Sequence, residues 1–173
     1  MTTPSKLTPV HIGSNTMAHA PLGMGCSFYG INDWHGQDAK DILSAMETAL
    51  EQGIAHFDTA EGYGGGESEK LIGRFLSADT SRRERVFLAS KANLNDITKD
   101  AMIAAIDGSR DRLQTDVIDL YYIHWPRTGK DLRPLAEGLA EAREQGKIRA
   151  IGVSNFSIEQ MEQIAEIVPI DAH

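Results

Sequence analysis

From residue 20 onward, short runs of consecutive apolar residues alternate with longer segments whose apolar positions recur at helical spacing. The runs Ala20–Gly25, Ile54–Phe57, Val86–Ser90, Val117–Ile123 and Ile148–Val153 are continuous rather than alternating, which predicts strands buried on both faces. Asp38–Glu51 carries Ile42, Leu43, Ala45, Met46, Ala49 and Leu50 near a 3.6-residue period, and Gly53 closes it as a helix-end glycine. Glu67–Leu76 places Leu71, Ile72 and Phe75 on one side of a second helix. Further helices are predicted from about Thr98 to Leu113, with Asp96 or Thr98 as cap, and from Leu132 to Gln145, closed by Gly146. Ser157 followed by Gln160 is a capping-box pattern opening a helix to Ile167, and Val168–Ala172 starts a sixth strand. Near the start, Val10–Gly13 and Met17-Ala18 flank Ser14-Asn15, which predicts a small hairpin plugging one end of the domain. The cluster Arg82–Arg85 reads as an exposed loop before a strand.

The strand–helix unit is roughly 30 residues long, the length a βαβ crossover requires. Buried runs in that rhythm predict a parallel α/β sheet covered on both faces. A doubly wound nucleotide-binding sheet would need a glycine-rich turn after the first strand. Gly23-Met24-Gly25-Cys26 does not complete G-x-G-x-x-G, because Phe28 stands where the third glycine belongs. The rhythm also fits a (β/α)8 barrel, which takes about 250 residues. The expected fold is therefore of the (β/α)8 TIM-barrel type, truncated after about five β/α units and the start of a sixth strand. No linker or second composition divides residues 1–173, so one incomplete barrel domain is expected.

Charge and composition narrow the partners. The net charge of -8, with no block of Lys or Arg, argues against nucleic acid and anionic membrane. No apolar run reaches the length of a membrane span, and no secretory signal pattern opens the chain. Cys26 is the only cysteine, so no internal disulfide forms, which fits a reducing cytoplasm. His35, His56 and His173 show no metal-ligand spacing, and no metal is expected. Gly64-Gly65-Gly66 lacks the Lys-Ser/Thr ending of a phosphate loop and reads as a flexible turn.

Four polar residues then stand out. Asp58, Lys91 and His124 each follow a predicted strand, and Tyr63 lies five residues beyond Asp58. In a parallel α/β fold, strand ends meet at one rim, where chemistry is normally built. An acid, a phenol, an ammonium and an imidazole gathered there point to proton transfer to a carbonyl oxygen. Taken singly, each has an ordinary structural explanation: a cap, a packed ring, a snorkelling lysine, a satisfied core histidine. Taken together at one rim, function is the better reading.

The segment Phe57-Asp58-Thr59-Ala60-Glu61-Gly62-Tyr63-Gly64 is followed by Glu67 and Gly73. With Ser90-Lys91, His124-Trp125-Pro126 and Gly152-Val153-Ser154-Asn155-Phe156, it resembles the aldo-keto reductase family from about Gly23 to the last residue. The resemblance implies NADPH-dependent reduction of an aldehyde or ketone to an alcohol. It implies Tyr63 as general acid, Lys91 lowering the phenol pKa, Asp58 holding Lys91 through an ion pair, and His124 orienting the substrate oxygen. It further implies that Ser154 and Asn155 bind the nicotinamide carboxamide and that the cofactor approaches the backbone near Gly25 and Cys26. Cys26 reads equally well as a small core residue. Tyr29 and Trp125 are expected on the substrate wall, with Trp34 either there or packing its loop.

In the family, the cofactor's pyrophosphate and 2′-phosphate are held after the seventh and eighth strands, so the residues here do not separate NADPH from NADH. The chain is expected to be a segment of a longer reductase, inactive alone, with exposed strand edges inviting self-association. The alternative is a non-catalytic nucleotide-binding or regulatory barrel subunit.

Overall fold

The computed structural model describes residues 9–13, 20–30 and 38–173. The predicted Ser14-Asn15 turn with Met17-Ala18, and also Trp34 and His35, lie outside the described residues. Five parallel strands pair in sequence order: β1 Gly23–Gly25, β2 His56–Asp58, β3 Phe87–Ala92, β4 Ile118–Ile123 and β5 Ile148–Val153. Helices α1 Ala39–Glu51, α2 Glu67–Ser77, α3 Ser81–Arg85, α4 Lys99–Leu113, α5 Arg133–Glu144 and α6 Ile158–Ala165 fall between or after them. This is the expected α/β alternation, with three differences. β1 is three residues long rather than six, Arg82–Arg85 is helical rather than a loop, and the sixth strand touches β5 by a single parallel bridge, Gly152 to Ala172.

The two faces of the sheet are packed differently. Phe57, Leu88, Tyr121, Ile123, Ile151 and Val153 point to the helices and join one large core with Ile72, Phe75, Met102, Ile106 and Leu139. Fully burying each such side chain contributes about 1.5–3 kcal/mol. The opposite, concave face carries the alternate residues Phe87, Ala89, Leu120 and Ala150, with Tyr122 and Ala172 beside them. Ile12, from the segment expected to plug one end, packs against this inner cluster. Gly152 matters here, because a Cβ in its place would stand 2.3 Å from a ring carbon of Tyr122. Only glycine lets β5 accept that ring from β4.

The helix ends follow local chemistry. Thr98 caps α4 by accepting from the Ala101 N–H at 3.2 Å, and Asp38 caps α1 by accepting from the Lys40 N–H at 3.1 Å. Ser157 and Gln160 complete the expected capping box of α6. α3 is held by a side chain rather than by a cap. Arg83 donates to the carbonyls of Val86 and Val117, each at 2.8 Å, to Thr115 Oγ1 at 3.0 Å and to Asp119 Oδ2 at 2.8 Å. Asp119 is fully buried and also accepts from the Leu88 N–H at 2.9 Å and from Arg149. This cluster closes the N-terminal end of β3, β4 and β5.

Candidate active site

At the C-terminal rim, the backbone pairing runs on past the strand ends. Cys26 N donates to Asp58 O, Thr59 N to Ala89 O, Glu61 N to Lys91 O, His124 N to Ala92 O and Ser154 N to Ile123 O, all at 2.8–3.0 Å. The residues after each strand are thereby held in register with their neighbours. Side chains two apart on a strand share a face, so Asp58, Lys91 and Tyr122 look into the concave side together.

Lys91 Nζ donates to both Asp58 carboxylate oxygens at 2.7 Å and to Thr59 O at 2.9 Å. An ammonium has three protons, so all its donors are engaged. Lys91 is buried, whereas the Asp58 side chain keeps 37% of its surface exposed. The Tyr63 ring lies with its centroid 5.3 Å from Lys91 Nζ and packs edge to face on His124 at 5.6 Å. Tyr122 offers a second ring, 5.7 Å from Lys91 Nζ. The four residues singled out from the sequence thus form a chain of contacts, Asp58 to Lys91 to Tyr63 to His124.

The electrostatics depart from the expectation in one respect. Burial pushes the Tyr63 phenol above its ordinary value, and the negative charge of Asp58 adds to the rise. No lowering by Lys91 accompanies the rise. Burial, and then the charge of Lys91, holds the His124 imidazole below its usual pKa, with Asp58 opposing. His124 is therefore neutral at neutral pH, and its Nδ1 is buried without a hydrogen-bond partner.

A cleft of about 430 Å³ opens beside this group, with Gly25, Asp58, Lys91, Tyr122 and Ser154 among its walls. A Cβ on Gly25 would meet no atom within 4 Å, so the backbone there is open to a flat ligand. Ser154 lines the cleft, and Asn155, at φ 63°, donates from Nδ2 to His124 O and to Ser154 Oγ, each at 3.0 Å. Trp125 is half exposed and tilts against His124 with ring centroids 6.1 Å apart.

One sequence candidate takes the core reading of the two left open, and another sits elsewhere than expected. Cys26 is wholly buried, its thiol points to Met24 O at 3.4 Å, and burial raises its pKa to about 12. Its core reading holds for the side chain, and only its backbone faces the rim. Tyr29 is packed in the helix-side core with its phenol pushed up by burial, and it presents little surface to a substrate.

The sequence reading missed Tyr122, Ser68 and Glu69. Tyr122 was findable, since it stands two residues before His124 near the end of the strand that His124 follows. Glu69 was not, because an acid in the first turn of a helix ordinarily faces solvent. Among the described residues, no helix is long and apolar enough to cross a membrane and no cluster of His, Cys, Asp and Glu has metal-binding geometry.

The sequence model of the Aldo/keto reductase family matches residues 21–173. Aldo-keto reductase YhdN of Bacillus subtilis (strain 168) is 40% identical over 157 residues, covering 86% of this chain and 47% of the relative. The crystal structure of a thermostable aldo-keto reductase, Tm1743, in complex with the inhibitor epalrestat superposes with a TM-score of 0.81 at 34% identity, covering 95% of this chain and 61% of that one. An aldo-keto reductase from Klebsiella pneumoniae in complex with NADPH superposes at 0.76 and 32% identity, covering 87% and 51%. The chain spans about half the length of the curated relatives it matches. With its five parallel strands, its rim tetrad and these likenesses in agreement, the chain belongs to the aldo-keto reductase family.

Proposed function

We propose that this chain carries the acid–base side of an NADPH-dependent reduction of an aldehyde or ketone to an alcohol, with Tyr63 as the general acid. The observation that carries the reading is the convergence of Asp58, Lys91, Tyr63 and His124 at one rim, with Asp58 and Lys91 on the wall of an open cleft. The cleft fits a nicotinamide, since Gly25 leaves one wall without a side chain and Ser154 supplies a polar group to another. The NADPH complex of the Klebsiella relative supports the choice of cofactor. Bound NADPH would supply the hydride for the carbonyl carbon. Gly25, Ser154 and Asn155 would hold the nicotinamide end.

The chain's own residues handle the proton. Tyr63 gives its phenolic proton to the carbonyl oxygen, breaking its O–H bond as the alcohol O–H forms. A phenol pushed above its ordinary value holds that proton throughout the neutral range. As negative charge develops on the phenolate, Lys91 lies across its ring face to stabilise it, already fixed by Asp58. Neutral His124 donates from Nε2 to the same carbonyl oxygen and aligns it. Trp125 forms the apolar wall of the substrate site.

A second reading, a nucleotide-binding subunit without turnover, is favoured by one observation. Every Lys91 donor is already used, so none is free to reach the Tyr63 oxygen. Two measurements separate the readings: NADPH quenching of tryptophan fluorescence, and NADPH consumption with 4-nitrobenzaldehyde. Turnover that falls by at least about 100-fold in Tyr63→Phe is expected for a general acid. Turnover that survives this change removes Tyr63 from the role, and quenching without turnover supports the binding subunit.

A further inference from the structure

We propose that Glu69, with its neighbour Ser68, is a positioning residue that fixes the Tyr63 turn against the strand carrying Lys91. The importance of that position for catalysis rests on the function proposed above; the position itself does not. The 3₁₀ turn Tyr63–Gly66 runs directly into α2, and no side chain caps their junction. Gly64, Gly65 and Gly66 have φ of 58°, 63° and 94°, a left-handed run that glycine alone adopts readily. Three glycines in succession leave the turn with little intrinsic preference for one placement. Something beyond its own backbone must hold Tyr63 where it meets Lys91 and His124.

The first turn of α2 supplies it. Ser68 donates to Cys26 O at 2.9 Å and shares a 2.8 Å hydrogen bond with Thr59 Oγ1, tying the turn to the ends of β1 and β2. Glu69 accepts from Ser90 Oγ at 2.6 Å and from Arg112 Nε at 2.6 Å, tying it to β3 and α4. Ser90 immediately precedes Lys91. Arg112 also packs under the turn, where a Cβ on Gly66 would stand 3.0 Å from its Cδ. Ser68 and Glu69 are both fully buried.

Burying a carboxylate is costly, and a buried ion pair stabilises no better than well-packed apolar residues of the same volume. Two apolar residues would satisfy stability at this spot but would leave the glycine turn free to slide. The charged pair is directional, with each carboxylate oxygen answering a different element. Glu69 therefore sets where Tyr63 sits relative to Lys91.

The test reads the Tyr63 ring directly in the 173-residue chain, without cofactor or substrate. The chain has four tyrosines, so labelling with 3-fluorotyrosine gives four ¹⁹F resonances, and Tyr63→Phe assigns one. Glu69→Gln keeps the shape and removes the charge, whereas Ser90→Ala removes one hydrogen bond and no charge. Arg149→Ala is the control, loosening the buried ion-pair cluster at the opposite end of the sheet. The expected result is that Glu69→Gln and Ser90→Ala move the Tyr63 resonance and its pH titration, while Arg149→Ala lowers Tm and moves neither. An unmoved Tyr63 resonance in both rim variants overturns the proposal, as does an equal movement in the control. Where NADPH turnover is measured, Glu69→Gln lowers kcat on the order of tenfold with little change in KM. Absence of both NADPH quenching and turnover in the unaltered chain is the outcome expected of a segment inactive alone, and it leaves the ¹⁹F result standing.

Discussion

At the N-terminal end of the sheet, Asp119 is wholly enclosed and receives Arg83, Arg149 and the Leu88 N–H. At the C-terminal rim, Asp58 receives Lys91 on both oxygens yet keeps 37% of its side chain open. Both are carboxylate–cation pairs on neighbouring parallel strands. At the floor the carboxylate is sealed, although its Arg149 partner keeps 44% of its side chain exposed, and the cluster ties α3, β3, β4 and β5 together. The rim pair is buried only on its cation side, and that side is walled by the Tyr63 and Tyr122 rings. The same chemistry thus serves cohesion where the carboxylate is sealed, and at the rim it leaves one face to solvent, as the proposed site requires. In this family member, openness of the carboxylate separates the two more clearly than the strength of either pair.

The largest expected effect comes from exchanging the charge for an amide at each end. In Asp119→Asn the new NH2 must face either Arg149 or the Arg83 and Leu88 donors, because both oxygens are taken. With the side chain itself wholly buried, leaving the Leu88 N–H or an arginine N–H unpaired in this way costs about 3 kcal/mol. In Asp58→Asn, the buried Lys91 loses its counter-charge but keeps one amide oxygen and Thr59 O, and water reaches the open side of residue 58, so the cost is about 2 kcal/mol. Urea unfolding of the two variants checks this. Equal losses would dissolve the distinction between floor and rim.

This contrast was only partly legible in the sequence. The strand–helix rhythm, the caps at Thr98 and Ser157 and the helix-end glycines Gly53 and Gly146 are local signals, and the chain obeys them. Asp58, Lys91 and His124 were legible because each directly follows or ends a buried run, and strand ends in a parallel sheet share a rim. The floor was not legible. α3 is only five residues long and rich in arginine, so no apolar period announces it, and Arg83 finds Asp119 36 residues away. Glu69 was hidden for the same reason, since its partner Arg112 lies 43 residues on. The upward push on the Tyr63 phenol was not legible, because its causes are burial and the charge of Asp58, and burial is a property of the packed rim.

A smaller effect separates the two ends by pH. His124 is the rim's titrating group in the mildly acidic range, and its folded pKa is lowered by burial and by Lys91. As pH falls below about 6.5 the unfolded chain takes up the proton first, so the folded state loses stability until the lower folded value is passed. Above that window the group contributes nothing to the slope. His124→Gln is expected to flatten the decline in urea midpoint between neutral and mildly acidic pH, whereas Arg149→Ala lowers the midpoint at every pH in that range. An unchanged pH slope in His124→Gln would remove the rim from the acid sensitivity of the fold.

The smallest effect is the reactivity of Cys26, and it tells which end opens first. Its thiol is fully buried at the end of β1, and with a pKa near 12 only about one molecule in ten thousand carries a thiolate at pH 8. Iodoacetamide should therefore leave the native chain unmodified and label it only through opening. β1 is three residues long, and its inward residues are glycines, so the rim beside Cys26 depends on the Ser68 bond to Cys26 O together with the Cys26 N–H bond to Asp58 O. If the rim is the softer end, labelling outpaces global unfolding followed by circular dichroism, and Ser68→Ala widens the gap. If labelling keeps pace with global unfolding in both chains, the rim and the floor open together, and the open carboxylate at Asp58 is then no sign of a looser structure around it.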